Sequence, residues 1–104
     1  MLRGRVYGAL LSGLEDLGEK YYLVASNNRR NSALDSVLAV RLTTSMKPQI
    51  PSIVETDPGD PFVGRVLCDS VVELWDDEVR RDLGALSPQT MRRVADGLRA
   101  AFAI

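Results

Sequence analysis

Lys20, Arg41 and Thr43 bring together two cations and a hydroxyl, a set suited to one phosphate group. Arg41 and Thr43 are two residues apart in an extended run, so both side chains leave the same strand face. Downstream of Lys20 lies the polar segment Asn27-Asn28-Arg29-Arg30-Asn31, rich in phosphate forks and amides that can read base edges. A cation-plus-hydroxyl set can promote phosphoryl transfer when the substrate carries its own nucleophile. RNA does so in its 2′-hydroxyl, leaving proton transfer, stabilisation of the phosphorane charge and splaying of the strand to the protein. Arg3, Arg5 and Tyr7 alternate near the N-terminus, and basic and aromatic residues at period two suit a single-stranded nucleic acid. Each of these residues also has an ordinary structural reading: a strand-end threonine, a snorkelling arginine, a permissive asparagine turn.

Composition narrows the chemistry. The chain of 104 residues has no histidine and one cysteine, Cys68. That excludes Ser/His/Asp and Cys/His hydrolases, the usual zinc sites and an internal disulfide. No acidic spacing calls for a carboxylate-bound magnesium, so no metal or other cofactor is expected. The net charge of −1 is uneven: residues 1–50 carry seven Lys/Arg against four Asp/Glu, a net of +3, and residues 51–104 carry six against ten, a net of −4. A basic half of this kind fits a polyanionic partner. No apolar run approaches the roughly 20 residues that span a bilayer, and the first residues lack a signal-peptide pattern, so the expected compartment is the cytoplasm.

The elements that must position these residues are mostly strands, within a single domain over residues 1–104. Residues 2–11 alternate, with Leu2, Val6 and Leu10 (and Gly4 and Gly8) on one face and Arg3, Arg5 and Tyr7 on the other. Further strands are expected at 21–26, 36–44, 52–55, 62–69 and 71–74, separated by a loop at 12–19, the turn at 27–31, a proline-bearing loop at 45–51 and a strong turn at 56–61. Residues 76–83 read as a short helix. Ser87 followed by Pro88 marks the start of an amphipathic helix, whose stripe is Met91, Val94, Ala95, Leu98, Ala101 and Phe102. The fold class is mostly β with a C-terminal helix, as a small barrel or strongly curved sheet.

Five ordered segments carry a resemblance. They are Gly4-Arg5-Val6-Tyr7; Leu23-Val24-Ala25-Ser26-Asn27 with Asn31; Val40-Arg41-Leu42-Thr43-Thr44; the run from Gly64 to Leu74; and Leu83-Gly84-Ala85-Leu86-Ser87 with its helix. In that order and spacing the chain resembles the MazF/PemK family of toxin–antitoxin ribonucleases. The resemblance implies an SH3-like barrel of the CcdB/MazF/PemK type and a homodimer. It also implies metal-independent cleavage of single-stranded RNA to 2′,3′-cyclic phosphate and 5′-hydroxyl ends, and a MazE-like antitoxin with an acidic tail. Thr43 matches the family's phosphate-binding threonine. The family's catalytic arginine, followed there by proline, falls on Lys20 followed by Tyr21. Lysine keeps the charge but loses the planar fork, so either Lys20 acts as a point charge with Arg41 assisting, or Arg41 or Arg29 has taken the role over. The expected catalytic set is Lys20, Thr43 and Arg41; the expected RNA-binding set is Arg3, Arg5, Tyr7, Asn27, Arg29, Arg30 and Asn31. The alternative readings are a CcdB-like gyrase-binding toxin and a non-catalytic RNA-binding barrel.

Overall fold

The computed structural model covers residues 1–104. Its framework is one six-stranded sheet: β1 (Arg5–Ala9), β2 (Lys20–Val24), β3 (Ser36–Thr43), β4 (Ile53–Glu55), β5 (Arg65–Trp75) and β6 (Val79–Ala85), with helices α1 (Asn28–Ala33) and α2 (Pro88–Phe102). The spatial order is β4-β5-β3-β2-β1-β6, and every neighbouring pair is antiparallel. β4 and β6 are the two edges and do not pair with each other, so the expected barrel is an open, curled sheet. The mostly-β fold with its C-terminal helix is as the sequence pattern indicates.

Alternation along the central strands buries both faces. Val6, Leu23, Val40, Leu42, Val66 and Val94 belong to the cluster beneath α2. Tyr7, Ala9, Tyr22, Val24, Ala39 and Leu74 form a second cluster on the other face. β1 therefore lacks the polar face its pattern indicates: Tyr7 is buried. Val94 is fully buried, which for a side chain of this size is worth about 1.5–3 kcal/mol. Helix α2 approaches so closely at Gly97 that an added Cβ would lie 2.8 Å from both Cys68 Sγ and Val54 Cγ2. Burial also pushes the Cys68 thiol up to about 11.

Two expectations are corrected. The strands at 62–69 and 71–74 are one strand, β5, with a register break: Val40 faces Val71, but Arg41 faces Leu67. Residues 68–70 on β5 are the extra chain in this bulge. The short helix expected at 76–83 is a single 3₁₀ turn, Asp76–Glu78, followed by strand β6. Val79 and Leu83 have helical spacing, but pairing with β1 outweighs that local pattern. The carboxylate of buried Glu78 accepts the N–H of Trp75 at 2.8 Å and of Ser12 at 2.6 Å, ending the turn and tying down the loop after β1. The charges of Arg80, Arg81 and Asp82 suit an exposed edge strand. The turn expected at 27–31 is instead the cap and first part of α1, capped by Asn27 Oδ1, which accepts from the Arg30 N–H at 2.9 Å.

Ser87 caps α2 by accepting the Thr90 N–H at 3.1 Å, with Pro88 at the first turn. Asp60 joins this cap to the preceding loop: it accepts from Thr90 Oγ1 at 2.6 Å, the Ser87 N–H at 2.8 Å and the Asp57 N–H at 2.8 Å. Burial pushes the Asp60 carboxyl up, but these hydrogen bonds from Thr90, Ser87 and Asp57 outweigh it and leave it below its ordinary value of 3.8. Its contribution to stability is therefore present above the unfolded value and lost as pH falls through the lower folded one. Asp60→Ala should cost about 2 kcal/mol at pH 7 by urea unfolding. That difference from the parent chain should shrink below pH 3.8, the ordinary value of this carboxyl.

Candidate functional site

The register between β2 and β3 builds the site. Tyr21 faces Leu42 and Tyr22 faces Arg41, so one further step sets Lys20, the first residue of β2, opposite Thr43, the last of β3. Lys20, Tyr22, Arg41 and Thr43 therefore share the sheet face away from α2. The groove at these strand ends is lined by Lys20, Arg41 and Thr43 together with Glu19, Tyr21, Ser45 and Phe62, and encloses about 250 Å³. Phe62 is buried and its ring centroid lies 5.4 Å from that of Tyr21, forming an aromatic base at the groove's α2 side.

A buried guanidinium nitrogen without a partner sets this groove apart. Arg5, Arg65, Arg81, Arg93 and Arg99 each have an ion-pair partner. Lys20 and Arg41 have none. The nearby acid in the lining, Glu19, is 2.9 Å from Arg81 and committed there. Arg41 Nε is also the one buried side-chain nitrogen or oxygen in the protein that lacks a hydrogen-bond partner. A buried, unmatched guanidinium N–H costs about 1–3 kcal/mol, a cost that an anionic ligand would remove. Thr43 Oγ1 already accepts the Ser45 N–H at 3.1 Å, so its own proton is free to be donated. Burial raises the Tyr22 phenol above its ordinary value, and the Arg41 charge partly opposes that rise.

The other sequence candidates sit elsewhere in the chain. Arg5 bonds to both carboxylate oxygens of Asp82, holding that carboxyl below its ordinary value. Tyr7 is buried opposite Tyr22. The segment at 27–31 follows the far end of β2, a strand length of roughly 16 Å from Lys20. Within it Arg30 donates to the Ser36 carbonyl at 2.8 Å, and Asn31 bonds to Ser26 through both ends of its amide. Arg3 is exposed and donates through Nε to the Ala25 carbonyl, and Arg29 is exposed with no side-chain partner. No group of three or more His, Cys, Asp or Glu gathers as metal ligands.

Sequence reading missed Glu19, Phe62 and Gly64 as supports of the groove. The signal for Gly64 is its place just before the strand that pairs with the end of β3: a Cβ there would lie 2.5 Å from the Thr43 carbonyl oxygen and 2.8 Å from Phe62 Cε1. Gly64→Ala should therefore displace the end of β3, cost about 1–3 kcal/mol in thermal or urea unfolding, and shift the Thr43 amide resonance in NMR spectra.

Residues 2–102 match the family described as PemK-like, MazF-like toxin of type II toxin–antitoxin system. The chain is 39% identical over 103 residues to endoribonuclease MazF4 of Mycobacterium tuberculosis and to endoribonuclease MazF1 of Mycobacterium bovis, covering 99% of this chain and 93% of each relative. Among solved structures, it is similar to a mycobacterial endoribonuclease in complex with its cognate antitoxin, at a TM-score of 0.90 and 38% identity, covering 100% of this chain and 96% of that one. The fold also matches MazF in a MazE–MazF complex from Deinococcus radiodurans, at a TM-score of 0.81 and 20% identity, covering 100% and 96%. With almost its whole length matched by the family and by relatives of this identity, the chain belongs to the PemK-like, MazF-like toxins of type II toxin–antitoxin systems.

Proposed function

We propose that this chain is the toxin of its pair and an endoribonuclease that cleaves single-stranded RNA by transesterification. The observation that carries the reading is the groove itself: two cations without acid partners, one with a buried orphan N–H, beside a hydroxyl whose proton is free. A phosphate seated there meets Arg41 as a planar fork and Thr43 as a hydroxyl donor, with Lys20 as the mobile point charge. In the step, the substrate 2′-oxygen attacks the adjacent phosphorus and its proton leaves to solvent. Arg41 and Thr43 hold the non-bridging oxygens as charge builds on the phosphorane. The phosphorus–O5′ bond breaks, and the Lys20 ammonium gives a proton to O5′ and regains one from water. The products are a 2′,3′-cyclic phosphate and a 5′-hydroxyl, and no metal is required.

The strand continues beyond the groove, where Arg3 and Arg29 are the exposed cations of the expected RNA-binding set and are available to further phosphates. Arg5, Tyr7, Asn27, Arg30 and Asn31 are engaged in the fold and act by holding the surface that carries those two. The partner is an antitoxin whose acidic tail covers Lys20 and Arg41, neutralising the charges that the toxin leaves unmatched. The toxin acts as a homodimer and in the cytoplasm, where messenger RNA is found.

The test is incubation of the pure protein with mixed-sequence RNA in excess EDTA, followed by mapping of the cut ends and their chemistry. Cuts at a repeated short sequence with cyclic phosphate ends are expected. Lys20→Ala, Arg41→Ala and Thr43→Ala should each lower the rate by about 10²-fold or more at unchanged folding. Intact RNA would sink the reading, and full activity of Lys20→Ala would remove that residue from the mechanism.

A further inference from the structure

Lys20 and Arg41 line a second cavity as well, of about 320 Å³. It lies between the loop joining β1 to β2 and the bulge of β5. Leu11, Leu14 and Leu17 of the loop face Val71 across it, and Ser70 contributes the hydroxyl of the bulge. No carboxylate lines it. Leu14 and Leu17 remain 48% and 58% exposed, apolar surface that nothing in the chain covers.

We propose that this cavity receives one unstacked base of the RNA, on a nucleotide next to the scissile phosphate, and that Leu14 and Leu17 set the sequence preference at that position. The inference rests on the cleavage reading above and adds a specificity site to it. Three observations carry it. The cavity and the cleavage groove share Lys20 and Arg41, so a phosphate held by these cations brings its neighbouring base to the cavity mouth. The size is at the lower end of ligand cavities, which run from about 300 to 1,000 Å³, and so suits one ring system. Its make-up is apolar walls with a hydroxyl and a cationic rim, which matches a neutral ring attached to an anion and disfavours an acidic side chain inside.

The loop that walls the cavity is anchored at both roots. At one root of the loop, the Leu10 N–H donates to the Glu78 carbonyl at 3.0 Å and the Ser12 N–H to the Glu78 carboxylate at 2.6 Å. At the other root, Glu19 pairs with Arg81 of β6 at 2.9 Å. A loop fixed at both ends presents its leucines with little ordering cost on binding.

The experiment maps cut sites in a randomised RNA pool for the parent chain, Leu17→Trp, which fills the cavity, and Leu14→Ser, which makes its wall polar. Both positions are exposed, so thermal unfolding should be nearly unchanged. The expected result is a changed base preference at one position beside the cut, with the other positions of the recognition sequence retained. In a second arm, binding of a non-cleavable 2′-O-methyl RNA is measured with an abasic residue placed at each position in turn. The parent chain should lose about 10-fold in affinity at one position, and Leu17→Trp should lose little there, since its filled cavity no longer takes up the base. An unchanged cut preference in both variants, or equal abasic losses in parent and variant, overturns the proposal and leaves the leucines to a protein partner. If no RNA is cut, the cleavage reading fails, and the binding arm alone decides whether the cavity holds a base.

Discussion

Tyr22 lies opposite Arg41 on adjacent strands, and the candidate site depends on that pairing. Side chains alternate along a strand, so a slip of one residue between β2 and β3 would carry Arg41 and Thr43 to the α2 side. The register is held from both faces at once. Leu23, Val40 and Leu42 are sealed beneath α2, while Tyr22, Val24 and Ala39 are sealed in the opposite cluster. A slip would exchange these two sets and expose or overpack both. The apolar core thus fixes more than stability: it fixes which charges stand together at the ends of the strands.

Those charges stand together without compensation. Elsewhere the chain pairs most of its arginines with acids or has them donate to carbonyls, as Arg93 does with Asp57 and Arg30 does with Ser36, and the two that do neither, Arg29 and Arg92, are exposed to solvent. At the groove it withholds partners from Lys20 and Arg41 and uses Glu19 on Arg81 instead. A protein selected for stability alone would place an acid beside Arg41, since a buried unmatched donor destabilises the fold. The local cost is tolerable because the surrounding sheet is buried on both faces, and it leaves a preorganised positive site for an anion.

Much of this was legible in the sequence. Alternation, β-forming residues and turn signals gave five of the strand regions, and Ser87-Pro88 gave the start of α2, because these signals are local. Arg41 and Thr43 could be placed on one face by counting alone. Lys20 could be grouped with them by residue type and by the family resemblance, but its place opposite Thr43 could not be counted, since a cross-strand register is not written in either strand by itself. The same reason explains where the expected elements differ from the observed ones. The β6 segment has helical spacing at Val79 and Leu83, and its pairing with β1, some 70 residues away, decided otherwise. The bulge at residues 68–70 looked like a strand break because a bulge and a break share exposed, polar residues such as Asp69 and Ser70. Arg5 and Asn31 read as ligand contacts because their types suit that work. Their fold partners, Asp82 and Ser26, become visible only in three dimensions.

Lysine in place of the arginine that the resemblance leads one to expect changes how the work is divided. A guanidinium holds two oxygens in a plane, and an ammonium holds a position through a flexible stem. Arg41 stands on a central strand with its Nε buried at the groove, so it can supply the fork that Lys20 lacks. Lys20 stands at the first residue of β2, between the groove and the second cavity, where a mobile charge can follow a leaving oxygen. On this division the strand interior supplies rigid recognition and the strand end supplies the moving proton. The cross-strand register makes the pair possible, since neither residue alone carries both properties.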